Sequence, residues 1–202
     1  MNVFVLCTGR CGSTTFARAC GHMRNYSAAH ESRTQHIGAG RLAYPERHIE
    51  VDNRLAWFLG RLEREYGSEA FYVHLRRNRR DTAASFRKRY ERGLIKGYAR
   101  YILWRNAGEK KLDHDPIDVC LDYCDTVNTN IEVFLQNKPH AMTFRLENAQ
   151  QDFERFWERI GAEGNRAKAM AEWETSYNET PPPFTERVKH AVQDAVRKLP
   201  SW

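Results

Sequence analysis

Apolar runs and amphipathic segments alternate along the chain, and this alternation predicts its secondary structure. Val3 to Leu6 is too short and too apolar for an amphipathic helix, so it predicts a buried strand. Strands are predicted at residues 3–7, 26–30, 48–51, 71–75 and 141–145. Helices are predicted at about 14–24, 53–66, 81–92, 97–107, 116–137, 149–160 and 185–198. The alternation predicts an α/β fold, a three-layer domain with a central, mostly parallel five-stranded sheet flanked by helices.

Polar residues indicate where several of the predicted helices begin. Asp52 or Asn53 can cap the second helix and Asp81 the third, because short polar side chains accept hydrogen bonds from the first amide groups of a helix. Asp115-Pro116 opens the long helix, since proline fits the first helical turn. The loops that precede the second and third helices follow strands, and this edge of an α/β sheet is where ligands bind.

A glycine-rich turn joins the first predicted strand to the first predicted helix, with the sequence CTGRCGSTT over residues 7–15. Gly9 and Gly12 allow a tight turn and let the backbone approach a ligand closely. Ser13 and Thr14 can cap the helix that follows. The N-terminus of that helix attracts an anion through its amide groups and its dipole.

A second basic turn follows the fourth predicted strand, with the sequence RRNRRDTAASF over residues 76–86. Arg77 could hold a phosphate with its forked guanidinium, and Ser85 could add a single hydrogen bond. In the first loop the cation is Arg10, whereas an ATP-binding loop would place Lys directly after the second glycine. Two anion-binding turns in one chain predict a ligand with phosphate groups at both ends.

The two turns together resemble the phosphate-binding motifs of the sulfotransferases that use 3'-phosphoadenosine 5'-phosphosulfate (PAPS). The segment TGRCGST, residues 8–14, resembles the family's loop for the 5'-phosphosulfate. Arg77 and Ser85 resemble the Arg and Ser that hold the 3'-phosphate, and FRLEN, residues 144–148, resembles the late strand and acidic turn. The likeness is to the small bacterial-type members, which share with this chain the lack of a late glycine-rich basic motif.

This resemblance implies a P-loop-like, nucleotide-kinase-like fold and a sulfotransferase activity. The sulfuryl group would move in line from PAPS to an acceptor hydroxyl of a carbohydrate or small molecule, which releases 3'-phosphoadenosine 5'-phosphate (PAP). Fixed cations would neutralise the developing charge, with Arg10 at the leaving oxygen, so no metal is required. The residues implied to bind the nucleotide are Gly9, Arg10, Cys11, Gly12, Ser13, Thr14, Arg77 and Ser85.

A general base for the acceptor hydroxyl is expected after the second strand, close to the first loop. His30 and Glu31 stand at that position, and because sulfotransferases use either residue type, both are candidates, with Glu31 favoured. In the alternative interpretation, Glu31 only forms a salt bridge with Arg10 or Arg33. Two further acidic candidates, Glu50 and Asp52, stand at the end of the third strand, and Asp52 also suits a helix cap.

Composition indicates a globular protein. With 202 residues, of which 41% are apolar and 29% charged, we expect one soluble domain over residues 1–202. No stretch approaches the length of a membrane helix, and the N-terminal strand does not resemble a signal peptide. The five cysteines show no disulfide framework, which favours a reducing, cytoplasmic location. Cys120 and Cys124 share a helix face without further ligands nearby, so we expect core packing and no metal site.

Two other functions fit parts of the same pattern. A divergent P-loop-type nucleotide or small-molecule kinase would share the fold, but it needs a Lys after Gly12 and a magnesium-binding Asp after an apolar strand. A nucleic-acid-binding module could use the basic stripe 76–89, and the net charge of +6 suits nucleic acid as well as an anionic cofactor. The pairing of two phosphate motifs favours a nucleotide cosubstrate over nucleic acid, and the resemblance to sulfotransferases implies a hydroxyl-bearing acceptor.

Overall fold

A five-stranded sheet forms the centre of the protein. The computed structural model describes residues 1–103 and 115–175. The strands lie in the order β2-β3-β1-β4-β5, and every neighbouring pair is parallel. Their bounds are β1 Val3–Cys7, β2 Ser27–His30, β3 His48–Val51, β4 Phe71–Arg76 and β5 Ala141–Arg145. The predicted α/β fold with a parallel five-stranded sheet is therefore confirmed.

Helices cover both faces of this sheet. They are α1 Ser13–Cys20, α2 Leu59–Tyr66, α3 Arg79–Arg87, α4 Gly93–Gly97, α5 Pro116–Leu135, α6 Ala149–Arg159 and α7 Arg166–Ala171. Short 3-10 turns lie at Gly38–Arg41, Asn53–Trp57, Leu146–Asn148 and Glu172–Glu174, and a π turn lies at Tyr98–Ile102. Within the described ranges, no helix combines the length and the apolar content needed to cross a membrane.

The helix predicted over 53–66 is divided in two. A 3-10 turn covers Asn53–Trp57, and α2 starts only after Phe58, whose φ of −121° is not helical. The Phe58 ring lies near the guanidinium groups of Arg41 and Arg61, at 5.1 and 5.4 Å from the ring centroid. These cation–π contacts stabilise the break, and nothing in the local spacing of apolar residues signals them.

Three further helix predictions differ from the structure or lie outside it. The cap of α3 is Asn78 and not Asp81, since the Asn78 side chain accepts hydrogen bonds from the backbone amides of Arg80 and Asp81 at 2.9 and 3.2 Å. The helix predicted from residue 97 begins earlier, as α4, and continues as the π turn. The short α7 was not predicted, and the helix predicted at 185–198 lies outside the described residues.

The central strand β1 is buried on both sides and separates two hydrophobic clusters. Val3, Val5 and Cys7 face the layer that contains α1 and α6. Phe4 and Leu6 face the opposite layer, which contains α3 and α5. Because successive side chains of a strand point to opposite faces, a continuous apolar strand requires a helical layer on each side. The sequence of β1 thus accounts for the three-layer architecture.

The helices that follow β1 and β4 pack on opposite faces of the sheet. α1 belongs to the cluster with α6, whereas α3 packs against α5 on the other side. β1 and β4 are neighbours in the sheet, and the loops that follow them lead to opposite faces, so the loops diverge at the carboxyl ends of these two strands. A crevice of this kind, at the carboxyl ends of strands whose connections leave in opposite directions, is where open α/β sheets bind ligands. The two predicted phosphate loops meet at this crevice.

The turn after β1 depends on backbone conformations that favour glycine. Gly9 and Gly12 have φ angles of 84° and 91°, as the predicted tight turn requires. Gly12 is the N-cap residue of α1, and no side chain caps this helix. The prediction that Ser13 and Thr14 are capping residues is therefore wrong, because both already lie in the first turn of α1.

Replacing Gly12 by Ala should destabilise the protein, whereas replacing Gly60 by Ala should not. A methyl group on Gly12 would come within 2.7 Å of Cδ1 of Leu146 and would keep a left-handed backbone, so we expect a loss of about 1–3 kcal/mol in the free energy of unfolding. Gly60 lies in α2 with open space around it, and alanine there should add about 0.4–1 kcal/mol. Urea denaturation measures both, and equal effects of the two substitutions would contradict this account of the turn.

The stability of the fold should decrease in mild acid because of His74. This residue of β4 is buried and shares a 3.0 Å hydrogen bond with Asn128. Burial lowers the pKa of His74 to about 4, although the bond to Asn128 partly opposes the shift. The unfolded chain takes up the proton below a pKa of about 6.5, so stability is complete above that pH and falls as the pH moves toward 4.

We expect His74 to account for a loss of about 2 kcal/mol in the free energy of unfolding between pH 7 and pH 5. Denaturant titrations at both pH values, on the wild type and on His74→Gln, measure this contribution. The variant cannot titrate at this position and should lose correspondingly less. An equal loss in both proteins would show that His74 is not the responsible group.

Candidate active site

Three predicted residues from two distant loops meet in the crevice between β1 and β4. The Nε of Arg10 donates a hydrogen bond to the Oγ of Ser85 at 3.0 Å, although 75 residues separate them. The Nη1 of Arg77 donates to the backbone carbonyl of Arg10 at 3.3 Å. The structure therefore brings the cation of the first loop together with the Arg and Ser of the second.

The charges around Arg10 indicate a site for an anion. Burial lowers the pKa of the Arg10 guanidinium, and the positive charges of Arg89 and Arg77 lower it further. Three guanidinium groups of like charge therefore act on one half-buried position, and like charges repel. An anion bound between them would relieve this repulsion, because guanidinium forks bind phosphate and sulfate oxygens in pairs.

The buried side of the first loop is fixed by the core. Tyr123, on α5, donates a hydrogen bond from its hydroxyl to the backbone carbonyl of Thr8 at 2.8 Å. Cys7 and Cys11 are fully buried, and the hydrogen bond between their thiols raises the pKa of Cys7 and lowers that of Cys11. The side chain of Cys11 therefore packs beneath the loop, which leaves its backbone as the part that could contact a ligand.

The turn Leu146–Asn148 contacts both phosphate loops. Leu146 packs against Gly12, at the position where a side chain on residue 12 would lie. The Oε1 of Glu147 accepts a hydrogen bond from the backbone amide of Asn78 at 2.6 Å. This turn follows β5 and coincides with the segment whose sequence resembles the late acidic turn of sulfotransferases. It holds the two loops at a fixed separation.

The two candidate bases lie at the end of β2, close to the first loop. The Nε2 of His30 shares a hydrogen bond with the Oγ of Ser13 at 3.1 Å, which places the end of β2 beside the N-terminus of α1. Glu31 has a φ of 53°, in the left-handed region that non-glycine residues rarely adopt. In the described part of the chain only two other non-glycine residues have positive φ, Arg10 and Arg47. Backbone strain concentrates at functional sites, and it coincides here with two predicted catalytic residues.

The carboxylate of Glu31 forms an ion pair with Arg54, and not with Arg10 or Arg33 as the alternative interpretation proposed. Both side chains are partly exposed, so the pair is open to exchange with a ligand. Asp52 fixes the backbone here, because its carboxylate accepts a hydrogen bond from the Arg54 amide at 2.7 Å. Asp52 is thus the predicted cap, and as a buried partner of Arg41 it is committed to structure.

Glu50 is buried and fully engaged in hydrogen bonds. It accepts from the backbone amide of Ser32 at 2.7 Å and from the Ser32 hydroxyl at 2.6 Å, and it contacts the Nε2 of His48 at 3.0 Å. Because Ser32 directly follows Glu31, these bonds hold the strained residue in position. Glu50 therefore supports the site without reaching it, which leaves Glu31 and His30 as the candidate bases.

Asn53 carries an unsatisfied polar atom next to the first loop. Its side-chain amide occupies the space into which a side chain on Gly9 would project, 2.6 Å from that position. Its Oδ1 is buried and has no hydrogen-bond partner among the described residues. Buried carbonyl oxygens are usually paired, so this unpaired one is an exception at the edge of the first loop.

Several residues of this site were not predicted as ligand contacts from the sequence. Arg89 belongs to the basic stripe after β4, but its neighbours are equally basic and no local signal selects it. Asn53 and Arg54 were visible only as the start of a helix. Their relation to Gly9 and Glu31 arises because β3 lies between β1 and β2 in the sheet, and the order of strands in space is not written in any local pattern.

Comparison with known proteins supports the fold. No family model matches the sequence, and no curated protein matches it. The structure is similar to one titled "Sulfotransferase Domain from the Curacin Biosynthetic Pathway", with a TM-score of 0.53 and 13% sequence identity. The match covers 98% of this chain and 98% of that one. The chain therefore has the α/β fold of a sulfotransferase domain, as its two phosphate loops had indicated.

Proposed function

We propose that this protein transfers a sulfuryl group from PAPS to the hydroxyl of an acceptor, which is a carbohydrate or a small molecule. The observation that carries the proposal is the convergence of Arg10, Arg77 and Ser85 in the crevice between β1 and β4 of a sulfotransferase fold. These residues come from two loops and form one cationic site. A nucleotide with phosphate groups at both ends matches the two halves of that site.

The second loop would bind the 3'-phosphate. Ser85 already accepts a hydrogen bond from Arg10, so its own hydroxyl proton is available to donate to a phosphate oxygen. Arg77 would add a charge-assisted bond from the nitrogen atoms that do not contact the Arg10 carbonyl. The 5'-phosphosulfate would lie on the first loop, against the backbone from Gly9 to Thr14 at the N-terminus of α1.

The transfer step would need a cation, a base and correct alignment. Glu31 would take the proton of the acceptor hydroxyl as the new oxygen–sulfur bond forms. Arg10 would neutralise the charge on the bridging oxygen as its bond to sulfur breaks and PAP departs. The proton thus moves from the acceptor to the carboxylate, and the negative charge moves to the leaving phosphate. The fixed cations perform the charge neutralisation, so the proposal includes no metal.

Neighbouring groups would prepare this step. Arg54 holds the Glu31 carboxylate before an acceptor arrives and would release it when the hydroxyl takes its place. The side-chain amide of Asn53 lies beside Gly9 with its nitrogen nearest the loop, and this nitrogen would donate a hydrogen bond to an oxygen of the bound nucleotide. His30 contacts Ser13 and would orient this end of the phosphosulfate loop.

Replacing Arg77 by Ala should weaken the binding of PAP selectively. A charge-assisted contact contributes about 1.5–3 kcal/mol, so the dissociation constant for PAP should rise about 10- to 100-fold. The affinity for ADP, which lacks the 3'-phosphate, should change little. Isothermal titration calorimetry measures both ligands, and Arg80→Ala, three residues later in the first turn of α3, serves as the matched control.

The same titrations separate the alternative functions. Equal losses of PAP and ADP affinity in Arg77→Ala would contradict the assignment of the 3'-phosphate to this loop. Binding of ATP with magnesium, but not of PAP, by the wild type would identify a kinase instead. If neither nucleotide binds, the basic loops remain available for nucleic acid and the proposal is wrong.

Replacing Glu31 by Gln should abolish most of the turnover while leaving the nucleotide site intact. General-base catalysis contributes a factor of about 10²–10⁴, so we expect transfer of radiolabelled sulfate from PAPS to the best acceptor of a sugar and phenol panel to fall at least a hundredfold. The dissociation constant for PAP should stay within twofold. Glu65→Gln is the control for loss of a carboxylate elsewhere, and undiminished turnover in Glu31→Gln would exclude Glu31 as the base.

A further inference from the structure

A second cationic site lies outside the crevice, along the free edge of the sheet. A cleft of about 470 Å³ runs beside β5, the last strand in the sheet order. Its lining includes a single carboxylate, that of Asp152, and four arginines. The arginines are Arg76, Arg145, Arg155 and Arg159. The cleft therefore carries a strong excess of positive charge at a place that the proposed reaction does not use.

Part of this arrangement protects the edge of the sheet. The Nη1 of Arg159 donates to the backbone carbonyl of Ala141 at 2.8 Å, and the backbone amide of Arg145 donates to Asp152 at 2.6 Å. Both ends of β5 are thus occupied, which prevents another strand from pairing along it. One arginine and one aspartate suffice for this role. The remaining guanidinium groups in the cleft need another explanation.

Three of the arginines are held in place by partners that leave most of their donors unused. Asp152 is 3% exposed and pairs with Arg155, while Arg159 lies over the ring of Phe71 at 4.9 Å from its centroid. Arg76 pairs with a glutamate of α5. Each guanidinium carries five N–H donors, and each of these three makes one hydrogen bond to a described residue. Each guanidinium is thus fixed at one point, and its further donors are available to a ligand in the cleft.

Arg145 adds a cation without a counter-charge. Its side chain is exposed at the end of β5 and makes no ion pair or hydrogen bond with any residue in the described ranges. Guanidinium forks match the spacing of oxygens in phosphate and sulfate groups. The volume of the cleft falls within the range of small-molecule sites, about 300–1,000 Å³. Several forks around such a volume favour an anion with more than one charged group.

We propose that the cleft beside β5 binds a small organic ligand that carries two or more phosphate or sulfate groups. This site is distinct from the crevice, since none of Arg10, Arg77 and Ser85 lines it. The turn Leu146–Asn148 lies between the two sites, with Leu146 against the first loop and Asn148 in the cleft. Glu31 follows β2, four strand spacings or about 19 Å away, so the ligand in the cleft takes no part in the chemistry.

Inorganic pyrophosphate is a suitable probe, because it carries two linked phosphate groups. Isothermal titration calorimetry in the Arg77→Ala background, which weakens the crevice, should show a saturable site. Adding Arg145→Gln and Arg155→Gln should raise its dissociation constant at least tenfold. Adding Arg166→Gln instead, which removes an α7 arginine that pairs with Glu154 and Glu158 outside the cleft, should leave the constant unchanged.

Two calorimetric outcomes would overturn the proposal. One is an unchanged affinity after Arg145→Gln and Arg155→Gln, because the cleft would then not hold the probe. The other is the loss of all pyrophosphate binding in Arg77→Ala alone, since the crevice would then be the sole site. Inorganic phosphate should bind at least tenfold more weakly than pyrophosphate, and equal affinity would reduce the cleft to a site for an adventitious ion only.

Nuclear magnetic resonance locates the site without relying on the stability of the variants. In the otherwise unaltered protein, added pyrophosphate should shift the backbone amide signal of Thr143, which lies on β5 within the cleft, and the Nε signal of Arg159. Both shifts should saturate with one dissociation constant. Shifts that spread over surface arginines without saturation would indicate a diffuse ion atmosphere and would contradict the proposal.

Discussion

The candidate active site depends on α1 and α3 packing against opposite faces of the sheet. This packing separates the exits of β1 and β4, so that a cleft opens above two hydrogen-bonded neighbours. The fully apolar sequence of β1 imposes it, because both faces of that strand must be covered. Arg10 and Ser85 meet only as a result of this geometry. If α1 and α3 packed on the same face of the sheet, both phosphate motifs would remain in the sequence, but they would lie apart in space.

A second layer of structure restrains the base. Glu31 adopts an unfavourable backbone conformation, and such strain persists only where the surroundings determine it. The surroundings here are buried carboxylates that bind backbone: Glu50 takes the amide after Glu31, and Asp52 takes the amide of Arg54. Burial raises the pKa of Asp52, which shows the cost of keeping this charge inside. Glu50 and Asp52, which the sequence offers as alternative bases, therefore hold the backbone that positions Glu31.

Local sequence signals were sufficient for the strands and for the two loops, and insufficient where contacts cross the sheet. The glycines of the first loop identify their own backbone conformation, because few other residues tolerate it. Asn78 and Asp81 both have side chains that suit the cap of α3, and the sequence favours Asp81. Asn78 is the cap in the structure, where Glu147 also binds the Asn78 backbone amide. The helix breaks at Phe58, where the ring contacts Arg41, which is distant in sequence, and Arg61, which follows the break. The pairing of Glu31 with Arg54 requires the strand order, which no spacing encodes.

The clustered arginines of the crevice link the stability of the folded protein to the concentration of anions around it. The positive charges of Arg89 and Arg77 lower the pKa of Arg10 in addition to its burial, and only the native state assembles this cluster. Any anion that fits it therefore shifts the folding equilibrium by mass action. Inside a cell, the rate at which such a protein is cleared by proteases would then follow the concentration of its anionic ligand. The abundance of the protein would then rise with the supply of that ligand, without a separate regulatory element.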